Sequence, residues 1–245
     1  MEYFHVKQEE IDKKLFNIFV GISLGNKLLT PELAKKYVKW AHKNTKDSAV
    51  VLIADDIDVI NWMIFRGLSK EESENAVTRK KYAMQGLFDK AIRVLAREEN
   101  DPTYITKVHI IFWNDIRNEG FDDLKAILAE EYKLNNEFRK RVLYFVDNYV
   151  ALREAIGISD EDKDTLADYI ISELPTLLGG IYWNNTLYNL CLYPTYVDSA
   201  MGPFVLDIRG GKYFNSSKLL LRQLCVLVQE FLQKPQDLKA LQADI

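Results

Sequence analysis

Residues 15–26, LFNIFVGISLGN, set the terms on which the rest of the chain can fold. The segment opens with Leu15, Phe16, Ile18, Phe19 and Val20, a β-favouring and aromatic run too short for a helix and suited to a buried strand. It closes on Gly21-Ile22-Ser23-Leu24-Gly25, and shortly afterwards Thr30 stands as an N-cap with Pro31 at the first helical position. Strand, tight turn and helix therefore follow one another. A serine between glycines at such a turn can be held clear of the sheet as a nucleophile, because glycine permits the turn and the close approach of a substrate. The same serine can equally do no more than cap a backbone group of the turn. On this segment alone both readings stand.

The alternation continues. Residues 48–56, SAVVLIADD, form a second strand, apolar throughout and therefore covered on both faces, as in a parallel sheet. A short helix over 57–65 ends at Gly67; Ser69, with Glu72 in the capping-box position, starts a long helix running to about residue 98. Residues 105–113 read as a third strand, 121–152 as one or two helices, and a helix from Ser159 or Asp160 to about residue 178 is crossed late by Pro175. Residues 187–193 read as a fourth strand, 204–208 as a short fifth, and 216–233 as a closing helix. This is an α/β pattern: a single Rossmann-like domain over 1–245 with a mainly parallel sheet. In such sheets ligands bind at the carboxyl ends of the strands, where Ser23, Asp55, Asp56 and Tyr193 fall. Neither a GxGxxG nor a GxxxxGK[ST] pattern is present, so no nucleotide cofactor is indicated.

Composition removes further classes. No apolar run reaches the ~20 residues of a membrane span, and residues 1–14 lack the basic start and apolar core of a signal peptide. Cys191 and Cys225 lie in apolar surroundings without metal spacing and read as buried thiols of a cytoplasmic protein. His5, His42 and His109 are scattered, so no histidine metal cluster is expected. A net charge of −4 argues against general nucleic-acid binding. The long helix goes against that sign: residues 79–97 hold six bases and one acid, Asp89. At 100° per residue Arg79, Lys90, Arg93 and Arg97 share one side, opposite Met84, Phe88, Ala91 and Leu95. That stripe is either a solvated face or a contact for a phosphate backbone.

Two further pairs bear on chemistry. Tyr169 and Glu173 are spaced i,i+4 at the edge of an apolar face; they are either an ordinary surface pair or a pair that can hold an ammonium group or shuttle a proton. Tyr193-Pro194 ends the fourth strand. The G-x-S-x-G pattern at Ser23 evokes a serine hydrolase. However, no histidine follows His109, so an α/β-hydrolase triad is excluded. A patatin-like Ser–Asp hydrolase would have to draw its acid from Asp207-Ile208-Arg209-Gly210-Gly211, a poor match to that family's Asp-Gly.

Taken in order and spacing, Gly21-Ile22-Ser23-Leu24-Gly25-Asn26, Tyr169-Ile-Ile-Ser-Glu173 and Tyr193 resemble the cyclodipeptide synthases, over most of the chain. The resemblance implies a fold like the catalytic domain of class I aminoacyl-tRNA synthetases of the tyrosine and tryptophan type. It implies two aminoacyl-tRNAs as substrates, a 2,5-diketopiperazine as product, no cofactor, no metal and a monomer. By the same resemblance Ser23 accepts the first aminoacyl group as an ester. Tyr169 and Glu173 hold its ammonium, Glu173 also moving a proton; Tyr193 relays a proton at cyclisation, and Asn26 positions the aminoacyl backbone. The first aminoacyl pocket would be lined by Phe19, Gly21, Thr176 and Cys191. The tRNA would be held by Arg79, Lys80, Lys81, Lys90, Arg93 and Arg97, with Arg139-Lys140-Arg141 sharing the load. The chain pairs Asn26 with Tyr193-Pro194. That mixes the marks of the family's two branches and places it in the Tyr-Pro one. The alternatives from other classes are the patatin-like hydrolase and a non-catalytic tRNA-binding Rossmann module.

Overall fold

The computed structural model describes residues 2–4, 6–26, 29–153, 155, 157–195, 201–219 and 225–231. In chain order the elements are β1 (Glu2–Phe4), α1 (Gln8–Asp12), β2 (Ile18–Ser23), α2 (Pro31–Asn44), β3 (Ala49–Ala54), α3 (Val59–Arg66), α4 (Lys70–Glu98), α5 (Thr103–Lys107) and β4 (Val108–Phe112). There follow α6 (Glu119–Leu134), α7 (Asn136–Leu152), α8 (Asp160–Gly179), β5 (Ile181–Trp183), β6 (Thr186–Tyr188), β7 (Leu190–Thr195), α9 (Gly202–Arg209) and β8 (Val226–Phe231). The main sheet has the order β1-β8-β7-β2-β3-β4; β8, β7, β2, β3 and β4 run parallel and only the edge strand β1 is antiparallel. β5 and β6 make a separate hairpin. The architecture is α/β and Rossmann-like.

Strand order reverses at β2: the chain leaves it toward β3 and β4, then returns on its other side as β7 and β8. Such a switch point opens a crevice at the strand ends. The period of two along each strand then decides what faces where. Ile18, Val20 and Ile22 of β2 pack with Leu190 and Leu192 of β7 against α2 and α4. Phe19 of β2 and Cys191 of β7 point the other way, into the core built with α6 to α9. Gly21, Ser23 and Tyr193 are in phase with that second set.

Helix starts follow the caps expected from the sequence. Thr30 Oγ1 accepts from the Leu33 N–H (3.2 Å), Ser69 and Glu72 form a capping box, and so do Ser159 and Asp162. α3 ends at Gly67, whose φ of 61° is left-handed.

Four expectations need correction. Residues 204–208 are not a strand but part of α9: Phe204, Val205 and Ile208 are buried at helical spacing against the α7–α8 core, and Pro203 sits in the first turn, where its missing N–H costs nothing. Residues 216–233 are not one helix: 216–219 form a 3₁₀ turn, and β8 lies parallel to β7, a buried position that suits Val226 and Val228; 220–224, 232 and 233 lie outside the described residues. The third strand starts at Val108 rather than residue 105, because Asp101 accepts from the Thr103 N–H (2.9 Å) and starts α5 there. The fourth strand is split by Asn189 into β6 and β7, and β7 continues past Tyr193-Pro194. Pro194 sits beyond the last residue of β7 paired with β2, Leu192, so its missing N–H leaves that ladder intact.

Among the described residues no helix is long and apolar enough to cross a membrane.

Candidate active site

Ser23 is the last residue of β2 and half-buried. Its Oγ accepts from the Gly25 N–H (3.2 Å), and its carbonyl accepts from the Asn26 N–H (3.2 Å), which closes the turn. The serine therefore does cap its turn, as the simpler reading required, while its oxygen stays on the α8 face of the sheet. Neither His42 nor His109 serves it: His42 stacks on Tyr104 (3.8 Å) and His109 packs against Trp183 (5.4 Å), while His5 lies outside the described residues.

α8 crosses this face with one buried turn of polar side chains. The i,i+4 spacing puts Tyr169 and Glu173 side by side, the Tyr169 hydroxyl donating to Glu173 Oε1 (3.4 Å). Tyr193, reaching over from β7, donates to Glu173 Oε2 (3.2 Å). Tyr169 and Glu173 are buried and Tyr193 half-buried, and loss of solvent dominates their acidity. It raises the Glu173 carboxyl to about 7, against the two tyrosine hydrogen bonds that favour the anion. It holds both phenols well above their ordinary range, with the Glu173 charge adding to the effect. Two tyrosine donors around one neutral-range carboxyl can orient an ammonium group and exchange a proton near pH 7.

A small, partly open cavity of about 20 Å³, room for one water or one methyl-sized group, lies against this turn. Phe19, Gly21, Thr176 and Cys191 all line it, together with Ser23, Glu173 and Tyr193. Phe19 is buried and faces it; a Cβ on Gly21 would stand in van der Waals contact with the Tyr193 ring (3.5 Å). Ile22, Leu52, Ala54, Trp113 and Leu177 complete the wall; no motif in the sequence marks the last four for it. Trp113 is fixed by a long-range contact: its backbone N–H donates to Asp55 Oδ1 (2.9 Å), and Asp55 Oδ2 is ion-paired with Lys81 (2.6 Å).

Three more neighbours come from parts of the chain distant in sequence. The Tyr149 ring stacks on Tyr169 (6.0 Å, 9° between planes). Arg153 lies over the rings of Phe65 (4.8 Å) and Tyr149 (4.5 Å) and donates to the Tyr149 hydroxyl. Asp58 is buried with its oxygens on Asn61 (2.6 Å) and Trp62 (3.0 Å), and its carboxyl is raised by burial. No sequence motif marks these three either; only the packing of α3, α7 and α8 brings them together.

The six cations of α4 between residues 79 and 97 separate into two sets. Arg79, Lys90, Arg93 and Arg97 are exposed, Arg93 being held by Asp89 at 2.8 Å. Lys81 is turned inward, on Asp55 and 3.9 Å from the Phe112 ring centroid, and Lys80 lies 5.5 Å over Trp62. Of the second basic cluster, Arg139 is paired with Asp164 (3.0 Å), Lys140 with Glu137 (2.7 Å), and Arg141 stacks on Tyr144 (4.7 Å). Asp207, the acid a Ser–Asp hydrolase would need, is committed to Lys212 (2.7 Å) and Tyr213 (3.2 Å). Among the described residues no group of His, Cys, Asp and Glu is arranged to hold a metal ion.

The whole fold has solved relatives. It is similar to a cyclodipeptide synthase from Bacillus thermoamylovorans, with a TM-score of 0.70 and 17% identity over 92% of this chain and 93% of that one. It is similar to a Mycobacterium tuberculosis protein whose structure shows cyclodipeptide synthetases to be related to type I tRNA synthetases, with a TM-score of 0.65 and 16% identity over 90% of this chain and 89% of that one. A third, from Candidatus Glomeribacter gigasporarum, was solved bound to Phe-tRNAPhe and gives a TM-score of 0.57 and 14% identity over 95% of this chain and 97% of that one. No curated protein matches the chain. At such identities these likenesses speak for the fold. The sequence itself matches the cyclodipeptide synthase family over residues 6–202, a span that holds Ser23, Tyr169, Glu173 and Tyr193, and the chain belongs to that family.

Proposed function

We propose that this cyclodipeptide synthase works through an aminoacyl ester on Ser23, taking both amino acids from aminoacyl-tRNA. The observation that carries the reading is the meeting of Ser23, Glu173 and Tyr193 around one small cavity at the switch point of the sheet. That a relative binds Phe-tRNAPhe supports the substrate class. The Ser23 hydroxyl attacks the aminoacyl ester, and the tRNA leaves with its 3′-terminal ribose hydroxyl restored. One ester replaces another, so the step needs positioning and exclusion of water rather than activation from outside. The side chain of the first amino acid enters the cavity of Phe19, Gly21, Thr176 and Cys191, and its ammonium lies against Tyr169 and Glu173. Glu173 takes the proton that makes this amine a nucleophile; the amine attacks the ester carbonyl of the second aminoacyl-tRNA, an amide forms, and the second tRNA leaves with its ribose hydroxyl restored. The new amine of the dipeptidyl ester then attacks the Ser23 ester carbonyl. Closure of the ring releases the diketopiperazine, the proton returning to Ser23 by way of Tyr193. Asn26 closes the turn on which the acyl group sits, and the exposed bases of α4 hold the tRNA. The enzyme acts as a monomer in the cytoplasm without metal or nucleotide. The hydrolase reading is not favoured, because Asp207 is already paired. Mass spectrometry of medium from cells expressing the chain tests the proposal: a diketopiperazine is expected with the native protein and none with Ser23→Ala. Undiminished product from Ser23→Ala would overturn it.

A further inference from the structure

We infer that Arg153 holds the 5′-phosphate of the tRNA's terminal adenosine, a substrate contact beside Ser23; the inference rests on the reading of Ser23 as acyl acceptor. Arg153 caps the C-terminus of α7, where a cation also suits the helix dipole. Its guanidinium lies over both the Phe65 and Tyr149 rings, which meet edge to face, and Tyr149 in turn stacks on Tyr169, so the group is tied to the Glu173 cluster. Its position reaches the Ser23 turn. A Cβ on Gly25 would lie 2.6 Å from Arg153 Nη2 and 3.5 Å from Ser23 Oγ, so only glycine at 25 lets the two come this close.

The charge has no direct partner of opposite sign. Among the described residues Arg153 makes no ion pair with a carboxylate; Asp58, the buried acid whose carboxyl feels the Arg153 charge, takes its hydrogen bonds from Asn61 and Trp62, and the partner Arg153 does have is the neutral Tyr149 phenol. Its Nε is buried without a partner. A half-buried, permanently charged guanidinium beside a nucleophile and short of an anion is suited to an anion the substrate brings.

The geometry says which anion. Arg153 does not line the cavity that takes the amino-acid side chain; it stands across the turn from it, on the Gly25 side. With the acyl group directed inward, the ribose must leave over that turn. The nearest negative charge to the reacting carbonyl on an aminoacyl-tRNA is then the 5′-phosphate of the same nucleotide, one ribose away. Arginine's fork is matched to phosphate, and one such charge-assisted contact is worth roughly ten- to a hundredfold in affinity.

The test uses unreactive amide analogues, 3′-aminoacylamino-adenosine and its 5′-monophosphate, titrated against the full chain. The native protein and Ser23→Ala should bind the phosphorylated analogue at least about tenfold more tightly. In Arg153→Met that gain should fall to near one, and Arg153→Lys should keep part of it. Gly25→Ala, which leaves Arg153 in the chain but displaces its guanidinium, should also lose the gain, so the inference survives a failure of Arg153→Met to fold. A gain that persists in Arg153→Met, or no gain in the native protein, contradicts the assignment. Failure of the Ser23 reading looks different: the corresponding aminoacyl ester would leave no mass on the native protein while the phosphate gain remained.

Discussion

The cluster behind Ser23 and the outer face of α4 are both polar, and they are built on opposite principles. In the cluster every group is buried or half-buried and held by its neighbours: Glu173 by two tyrosines, Tyr169 by Tyr149, Trp113 by Asp55 and Asp55 by Lys81. On α4, Arg79 and Lys90 are exposed without an ion pair among the described residues, and Arg93 has only its helical neighbour Asp89. Buried polar groups are costly to leave unsatisfied, so each member of the first set is hard to replace alone. Exposed cations act through their sum, screened by salt, and any one of them is dispensable. Chemistry is expected from the first region and diffuse attraction from the second.

The largest effect should follow from Glu173→Gln, Ser23 itself aside. Loss of a positioned proton acceptor should lower turnover about 10²–10⁴-fold. It should also remove a rise in activity as pH passes through about 7, where burial has placed this carboxyl. The same burial makes a stability prediction. A carboxyl raised from 4.5 to about 7 favours the folded state most below its unfolded pKa. That advantage, about 3 kcal/mol from the size of the shift, is lost as pH rises through 7. Thermal unfolding of the native protein and Glu173→Gln across pH 4 to 8 should therefore show the native protein losing stability relative to the variant. A pH-independent difference would contradict the placement of Glu173.

Replacing Arg79, Lys90, Arg93 and Arg97 together by glutamate should come next. It should weaken tRNA use and flatten its salt dependence by up to about 0.7–0.9 in logarithmic slope per lost phosphate contact, leaving the melting temperature near its native value. Unchanged activity would remove α4 from the substrate path. Lys81→Met sharpens the comparison from within one helix. It leaves the buried Asp55 carboxylate without its cation, so it should destabilise the fold by about 1–3 kcal/mol and loosen Trp113, whereas Arg93→Met should change stability by less than about 0.5 kcal/mol. Equal melting temperatures for the two variants would erase the distinction. The smallest change in overall rate, but one of kind, is expected from Phe19→Ala. It opens the cavity of about 20 Å³ and should admit a larger first amino acid, visible as a new product mass.

What is legible in the sequence follows the same division. The period of two in β2 and the i,i+4 pair on α8 are local rules, so the amino-acid order alone points to Ser23, Gly21, Tyr169 and Glu173. The inward turn of Lys81 is not legible in that way, because the helical wheel gives its angle but not that Asp55 waits at the end of β3. Arg153, Tyr149 and Trp113 join the site through contacts between elements far apart in the chain, which no local pattern encodes. β8 reads as helix because Leu219, Val226 and Val228 are apolar at either period. Its true state comes from pairing with β7.

The central claim is the covalent step at Ser23, and intact mass of the protein after mixing with charged tRNA tests it most directly. The account predicts one added aminoacyl group on the native protein and none on Ser23→Ala. No added mass on the native protein while it still makes diketopiperazine, or an equal addition on Ser23→Ala, would contradict it.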